Sequence, residues 1–442
     1  MSDTHARTVA FSRDTMLPPV PPPVRETGAV RWLRENLLGG PLNVALTVLS
    51  LVAIWWALSG FLPWAWRGIW DASSLTECRA RRDELYGPGV PAACWAIIAE
   101  RWPQLVFGFY PQSGYWRPPV ALAVFLVAVM PVLFPSLPRR MLWLLPPAPF
   151  VIYWLLWGGS LWGPATVAAG FALGWGVWLL ARRGGAGAGL ALAAGVAAAA
   201  LWWWWIAGPL AGTLARGVPL ALQPVLSKDM GGFTLSFVIG LSAIVLSLPL
   251  GVLLALARRS EMPIISTVAV VYIEIIRGVP LIVWLFTAQL LLNYFLPRGT
   301  NFDLMLRVII MVTLFAAAYL AEVIRGGLAA LPKGQFEAAD ALGLGYWQSM
   351  RLVVLPQALK ISIPGIVNTF IGLFKDTTLV AFIGMFDPIG LTGSIRATTA
   401  WNGIYWEPYV FIAIVFFVVC YAMSRYSIWL ERRLEREHRP AT

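Results

Sequence analysis

Long stretches without one charged side chain recur along this chain, separated by short arginine-rich punctuation. Residues 42–66 hold no Asp, Glu, Lys or Arg, and neither do residues 118–138. Residues 141–181 are uncharged throughout, with Gly158-Gly159 as a turn between two apolar pieces. A helix needs about 20 consecutive apolar residues to cross a bilayer, and several runs reach that length. The pattern predicts about ten spans: 42–64, 118–137, 141–157, 164–181, 189–209, 232–257, part of 263–297, 304–327, 357–385 and 408–426. The run 263–297 is too long for one straight span. It reads as an interfacial amphipathic piece to Arg277, a break at Gly278-Val279-Pro280, and a span to about Phe295. The fold class is an all-α polytopic membrane protein.

Composition agrees: only 12% of the 442 residues are charged, about half the share of a soluble domain. The net charge of +11 does not imply a nucleic-acid partner, because no soluble basic face exists to hold one. The basic residues follow apolar runs instead, as Arg139-Arg140, Arg182-Arg183, Arg258-Arg259 and Arg432-Arg433. By the positive-inside rule they place both termini and residues 328–356 in the cytoplasm and a long loop, 67–117, outside. That loop carries Arg67, Arg79, Arg81, Arg82 and Arg101 against Asp71, Glu77, Asp83, Glu84 and Glu100; long loops obey the rule poorly. The first apolar run begins only near residue 41, so no cleavable signal peptide is expected. Residues 1–41 read as a cytoplasmic Pro-rich tail with polyproline II character around Pro18-Pro19-Val20-Pro21-Pro22-Pro23. The quartet Trp202–Trp205 sits either at the outer interface, which indoles favour, or as lipid-facing bulk on an Ala-rich helix.

A composition shift near 215–231 divides the chain. Residues 42–230 form an extension of about five Ala/Trp/Leu-rich helices that reads as scaffold. Residues 231–432 carry charges in or beside their spans (Glu274, Arg277, Glu322, Arg325, Lys375, Asp376), and 433–442 are a basic tail.

The cytoplasmic segment 328–356 contains Glu337-Ala338-Ala339-Asp340-Ala341-Leu342-Gly343 and, nine residues on, Val353-Val354-Leu355-Pro356. Gly343 and Gly345 suit a helix end, and Pro356 suits the first turn of the next helix. Ala338 and Ala339 allow close backbone approach, while Phe336, Leu342 and Trp347 supply an apolar knob beside charge, the mark of an interaction site. This spacing resembles the EAA loop of bacterial ABC importer permeases, in which two short helices dock on an ATPase subunit. Glu274-Ile275-Ile276-Arg277-Gly278-Val279-Pro280-Leu281, Tyr319-Leu320-Ala321-Glu322-Val323-Ile324-Arg325-Gly326-Gly327, Leu355-Pro356-Gln357-Ala358-Leu359 and Leu373-Phe374-Lys375-Asp376-Thr377-Thr378-Leu379 extend the resemblance to the polar amino-acid permeases of histidine, glutamate, arginine and opine type. It covers about 230–432, with Val353 where the pattern often has Ile. The long extension and its Cys-containing loop resemble the larger permease subunit of general L-amino-acid transporters.

The resemblance implies a five-helix type I ABC permease core in a bacterial inner membrane, working with an ATPase dimer, a second homologous permease and a periplasmic amino-acid-binding protein. ATP and Mg would lie on the ATPase. Phe336, Glu337, Ala338, Ala339, Gly343, Trp347, Leu355 and Pro356 would form the coupling surface. Glu and Arg recur three apart in Glu274/Arg277 and Glu322/Arg325, on one helix face. They read either as gate charges or as interfacial charges that end helices. Lys375 and Asp376 lie inside an apolar run, where ionised groups usually face an interior cavity. With Thr377, Thr378 and Asn368 they offer partners for an ammonium and a carboxylate along a substrate path. The alternative is a structural pair holding a helix break.

The lysines Lys228, Lys333, Lys360 and Lys375 all lack the preceding glycine of a P-loop. His5 and His438 lie in the tails, so no His-based metal or catalytic site is expected. Cys78 and Cys94 fall in the outer loop, as a disulfide or as two free thiols, and Cys420 falls in the last span. A secondary transporter or channel would also use intramembrane charge, but leaves the cytoplasmic loop unexplained. A membrane enzyme would need a catalytic constellation not found in the sequence.

Overall fold

Lipid offers no hydrogen-bond partner to a bare backbone, so apolar runs must satisfy themselves as helices. The computed structural model describes residues 28–134, 136–291, 294 and 302–436. Among these, eight helices are long and apolar enough to cross a membrane. They are Pro41–Trp66, Gln112–Leu133, Trp162–Arg183, Ala188–Gly217, Gly232–Arg258, Leu304–Ala329, a composite Tyr346–Arg396, and Trp406–Leu434. A ninth is formed if Pro263–Gly278 and Leu281–Leu290 count as one span bent by 101°. The bend falls at Val279-Pro280, where proline cannot donate to the ladder. The expected continuation to Phe295 lies outside the described residues.

One expected span takes a different form. Residues 141–157 were read as a single crossing, but Arg139–Leu144 is a 3-10 helix and only Ala148–Trp157 is α-helical. Pro146, Pro147 and Pro149 remove the N–H groups an earlier start would need. Ten residues reach about 15 Å, half the hydrocarbon thickness. The expected span 357–385 also changes character midway. Its α-helix, Leu355–Asp376, tightens into a 3-10 segment, Thr377–Ile383, which stops at left-handed Gly384.

The chain packs as two units. The first holds the described residues up to Ile69 with Arg81–Ala93. Its helix Pro41–Trp66 has no buried residue, and its end is tied down by the Ala93 N–H donating to the Trp64 carbonyl at 2.9 Å.

The second unit holds Trp70–Ala80 and everything from Cys94 onward, on both sides of residue 231. At its centre Gly232–Arg258 lies along Leu304–Ala329. Leu235, Ile239 and Ala243 meet Val308, Val312 and Ala316 in one cluster, and Ala255 and Leu256 meet Leu320, Ala321 and Ile324 in another. The hairpin of Trp162–Arg183 and Ala188–Leu201 buries Gly174 against Gly195 and Ala199, while Gly170 is buried against the Trp202 and Trp203 rings. A Cβ on Gly174 would come within 2.9 Å of the Gly195 carbonyl, so small residues set the helix separation. The tryptophan quartet, within the π-turn Trp202–Ile206, divides its work. Trp202 and Trp203 donate to the carbonyls of Thr166 and Val167, while Trp204 and Trp205 are exposed. A two-residue ladder, Gly159–Ser160 with Ala221–Leu222, joins the ends of neighbouring segments.

Candidate functional site

Pro332 starts the helix Lys333–Ala341, and Gly343, at φ 70°, ends it by turning left-handed. The chain then re-enters a short helix, Tyr346–Ser349, and passes through the π-turn Met350–Val354 into Leu355–Asp376, with Pro356 in its first turn. The second half of the loop is thus continuous with a membrane helix. Glu337, Ala338 and Gly343 are exposed, whereas Ala339 is buried. Leu342 is 76% exposed and Trp347 69%, and Tyr346 stands edge-on to the Trp347 ring at 5.3 Å.

Phe336 does not join this knob, contrary to the sequence reading. Three residues before Ala339, it shares that residue's inward face and packs, partly buried, against the cluster that includes Leu331, Met350 and Val354. The Arg259 guanidinium lies 5.6 Å over its ring. Leu355 is half-buried in the same cluster, and Gln357 donates to Gln335 at 2.9 Å, fastening the loop helix to the membrane helix.

Near this loop, five charges from three helices converge. Glu322, whose side chain is 16% exposed, faces Arg258 at 2.7 Å, Arg325 at 3.1 Å and Arg277 at 3.8 Å. Arg258 also binds Glu274 at 3.0 Å. Only one of the two Glu/Arg repeats therefore pairs within its own helix: Glu322 with Arg325. Arg277 crosses to Glu322 with its guanidinium 5.3 Å over the Tyr319 ring, and Glu274 crosses to Arg258. In the sequence Arg258 served only as a marker of sidedness; the structure makes it the second bridge of the cluster.

At the other end of Leu355–Asp376, Ile361, Pro364, Asn368 and Lys375 are exposed along one stripe of the helix. Asp376 is half-buried, and among the described residues no ion pair joins it to Lys375. Adjacent residues on a helix do not face each other, which accounts for their divergence. The hydroxyls of Thr377 and Thr378 donate to the carbonyls of Phe374 (2.7 Å) and Lys375 (2.9 Å); Thr377 is buried, so of the two only the Thr378 oxygen stays open to accept.

Three residues missed in the sequence tie this end together. Buried Arg307 donates to the carbonyls of Ala288 and Gln289 at 3.0 Å, and Gln289 donates to the Ile383 carbonyl at 2.8 Å. Asp387, fully buried, caps Pro388–Arg396 by accepting from the Gly390 N–H. A lone arginine in an apolar run was the available signal for Arg307.

Cys78 and Cys94 are disulfide-bonded, with their Cα atoms 6.2 Å apart. The Cys94 N–H donates to the buried Glu407 carboxylate at 2.8 Å, and fully buried Trp401 donates from Nε1 to Glu100 at 3.2 Å. The loop is thereby bonded to the first turn of the last helix and to the turn before it. Reducing the bridge, or the Cys78→Ser change, is expected to cost about 3 kcal/mol for this 16-residue separation. Thermal melting of the purified chain with and without reductant measures it, and an unchanged melting temperature would remove the bridge's structural role.

Residues 247–436 match the family described as binding-protein-dependent transport system inner membrane component. The chain is 56% identical over 440 residues, 99% of its length and 100% of the relative's, to the glutamate/glutamine/aspartate/asparagine transport system permease protein BztC of Rhodobacter capsulatus. It is 36% identical over 427 residues, 96% of its length and 98% of the relative's, to the inner membrane amino-acid ABC transporter permease protein YhdY of Escherichia coli. Against the crystal structure of an amino acid ABC transporter with histidines it shows 34% identity and a TM-score of 0.41, covering 45% of this chain and 90% of the other.

Proposed function

This chain belongs to the amino-acid permeases of binding-protein-dependent ABC importers, and from that membership we propose that it carries glutamate, glutamine, aspartate and asparagine as one half of a permease pair. It is a multi-span transport subunit of the inner membrane that works with an ATPase and a substrate-binding protein. The observation that carries the substrate reading is 56% identity across essentially the whole of both chains with a permease named for those four amino acids.

In this reading both termini and residues 328–356 are cytoplasmic, residues 67–117 face the periplasm, residues 42–230 are an extension and residues 231–432 the permease core. Leu342, Tyr346 and Trp347, flanked by Glu337, Ala338 and Gly343, seat in the ATPase, which alone holds ATP and Mg. Displacement of Tyr346 and Trp347 passes into Leu355–Asp376, because the chain is helical between them. The stripe ending at Lys375 faces a second, homologous permease, and substrate passes between the two. Asp376 attracts the substrate ammonium and Lys375 its carboxylates, with Asn368 and Thr378 accepting further hydrogen bonds, while buried Thr377 closes the helix end behind them. The Glu322 cluster holds three helix ends in one arrangement that must re-form at each cycle. A transporter or channel independent of an ATPase gives the exposed knob no role.

Uptake of the four radiolabelled amino acids, in cells whose own carriers are deleted and which express the full transporter, tests the reading. The Asp376→Asn variant is expected to lower uptake about tenfold, the effect of losing one charge-assisted contact of about 1.4 kcal/mol. Excess histidine or leucine competing as well as glutamine would overturn the proposed specificity, and undiminished uptake by the variant would remove Asp376 from the path.

A further inference from the structure

An apolar cavity of about 480 Å³ opens between Arg117–Leu133, Ala148–Trp157 and Gly232–Arg258. Leu122 and Phe125 of the first helix, Ile152 of the second, and Phe237, Leu241 and Val245 of the third form its wall. Its position follows from the fold. The second helix has only ten residues, too few to lie along the whole height of its neighbours. The lining residues of Gly232–Arg258 run from Phe233 to Leu246, so the cavity lies toward the end of that helix marked by Trp157 and Gly232.

The surroundings select the occupant. Water needs two to four polar partners, but the wall is almost wholly hydrocarbon and its Thr234 hydroxyl already donates to the Val106 carbonyl at 2.9 Å. Tyr153, Val245 and Leu246 are exposed at its lining, the last two on Gly232–Arg258, a helix long and apolar enough to cross a membrane, so the cavity is open on a face of the kind that meets lipid rather than water. Size agrees as well. An apolar cavity of about 150 Å³ holds the six carbons of benzene, so at the same density 480 Å³ holds roughly 19 carbons. That is the size of one common phospholipid chain.

We propose that this cavity binds a single phospholipid acyl chain as a resident lipid, wedged between the helices that precede residue 230 and the first helix after it. Two measurements test this on the intact transporter complex. Native mass spectrometry after detergent washing is expected to retain one phospholipid per copy of this chain. Leu241→Trp, which fills the cavity, should cut that occupancy at least tenfold, whereas Leu250→Trp, on the same helix but outside the cavity, should leave it unchanged. In vesicles containing a phosphatidylglycerol with a diazirine on its acyl chain, photolabelling of the wild-type complex should favour residues 233–246 over the exposed face around Leu190 and Leu192. Labelling no stronger there than at Leu190, or equal lipid retention by a folded Leu241→Trp complex, would overturn the proposal. So would a cross-link showing a helix of another subunit in the cavity.

Discussion

Substituting Glu322 with glutamine is expected to reduce transport at least tenfold and to destabilise the permease by about 2 kcal/mol. Glu322 is the shared anion for Arg258, Arg277 and Arg325. Removing one partner of a fully buried pair costs about 3–5 kcal/mol, because the other charge stays behind. Here the arginine side chains keep between 21% and 42% of their exposure, and partial solvation reduces the penalty. The three cations would also repel one another across three helix ends. Glu322→Asp, which keeps the charge but shortens the reach, should retain part of both stability and transport. Arg258→Ala should resemble Glu322→Gln, since it breaks bridges to two acids; Arg325→Ala, at the exposed edge, should do least. Melting in nanodiscs and uptake in cells measure the two effects. A Glu322→Gln protein indistinguishable from wild type in both would remove the cluster from the working cycle.

The second large effect is expected at the coupling knob. Leu342→Asp combined with Trp347→Asp should weaken ATPase association about a hundredfold, equivalent to about 2.8 kcal/mol. Buried aromatic anchors alone contribute about 2 kcal/mol or more at protein interfaces. Both side chains are exposed in the permease by itself, so its melting temperature should not move. Phe336→Ala supplies the contrast. Phe336 packs inside, so its loss should lower stability first and association only as a consequence. Co-purification of the ATPase alongside thermal melting separates the two outcomes. Unchanged association in the double variant would place the coupling surface elsewhere.

The spans were legible because a bilayer imposes a length, and runs such as 304–327 announce it without reference to any neighbour. What escaped depends on neighbours or on local chemistry that apolarity hides. Residues 141–157 are apolar enough to cross, but three prolines decide where a helix can begin. The glycines and the Leu-Pro step of residues 328–356 predicted the breaks there. Which of Phe336, Leu342 and Trp347 would face out was not legible, because a loop helix takes its inward face from whatever lies beneath it. Arg258 was misjudged for a different reason: the positive-inside rule reads sidedness and says nothing about partners. Arg307 was open to recognition, since a single cation in an apolar run is a signal in itself.

The bond between Cys94 and Glu407 joins positions 313 residues apart. At about 5–20 residues per second, synthesis separates these partners by roughly 15–60 s. For that interval the segment beginning at Cys94 has its amide but not its acceptor, and Glu100 waits likewise for the Trp401 indole. Docking is therefore a late step, available only to a copy translated past residue 407. A chain truncated before residue 401 would leave the Cys94 amide and the Glu100 carboxylate beside it to find other partners, so the last third of the sequence settles a segment laid down in the first.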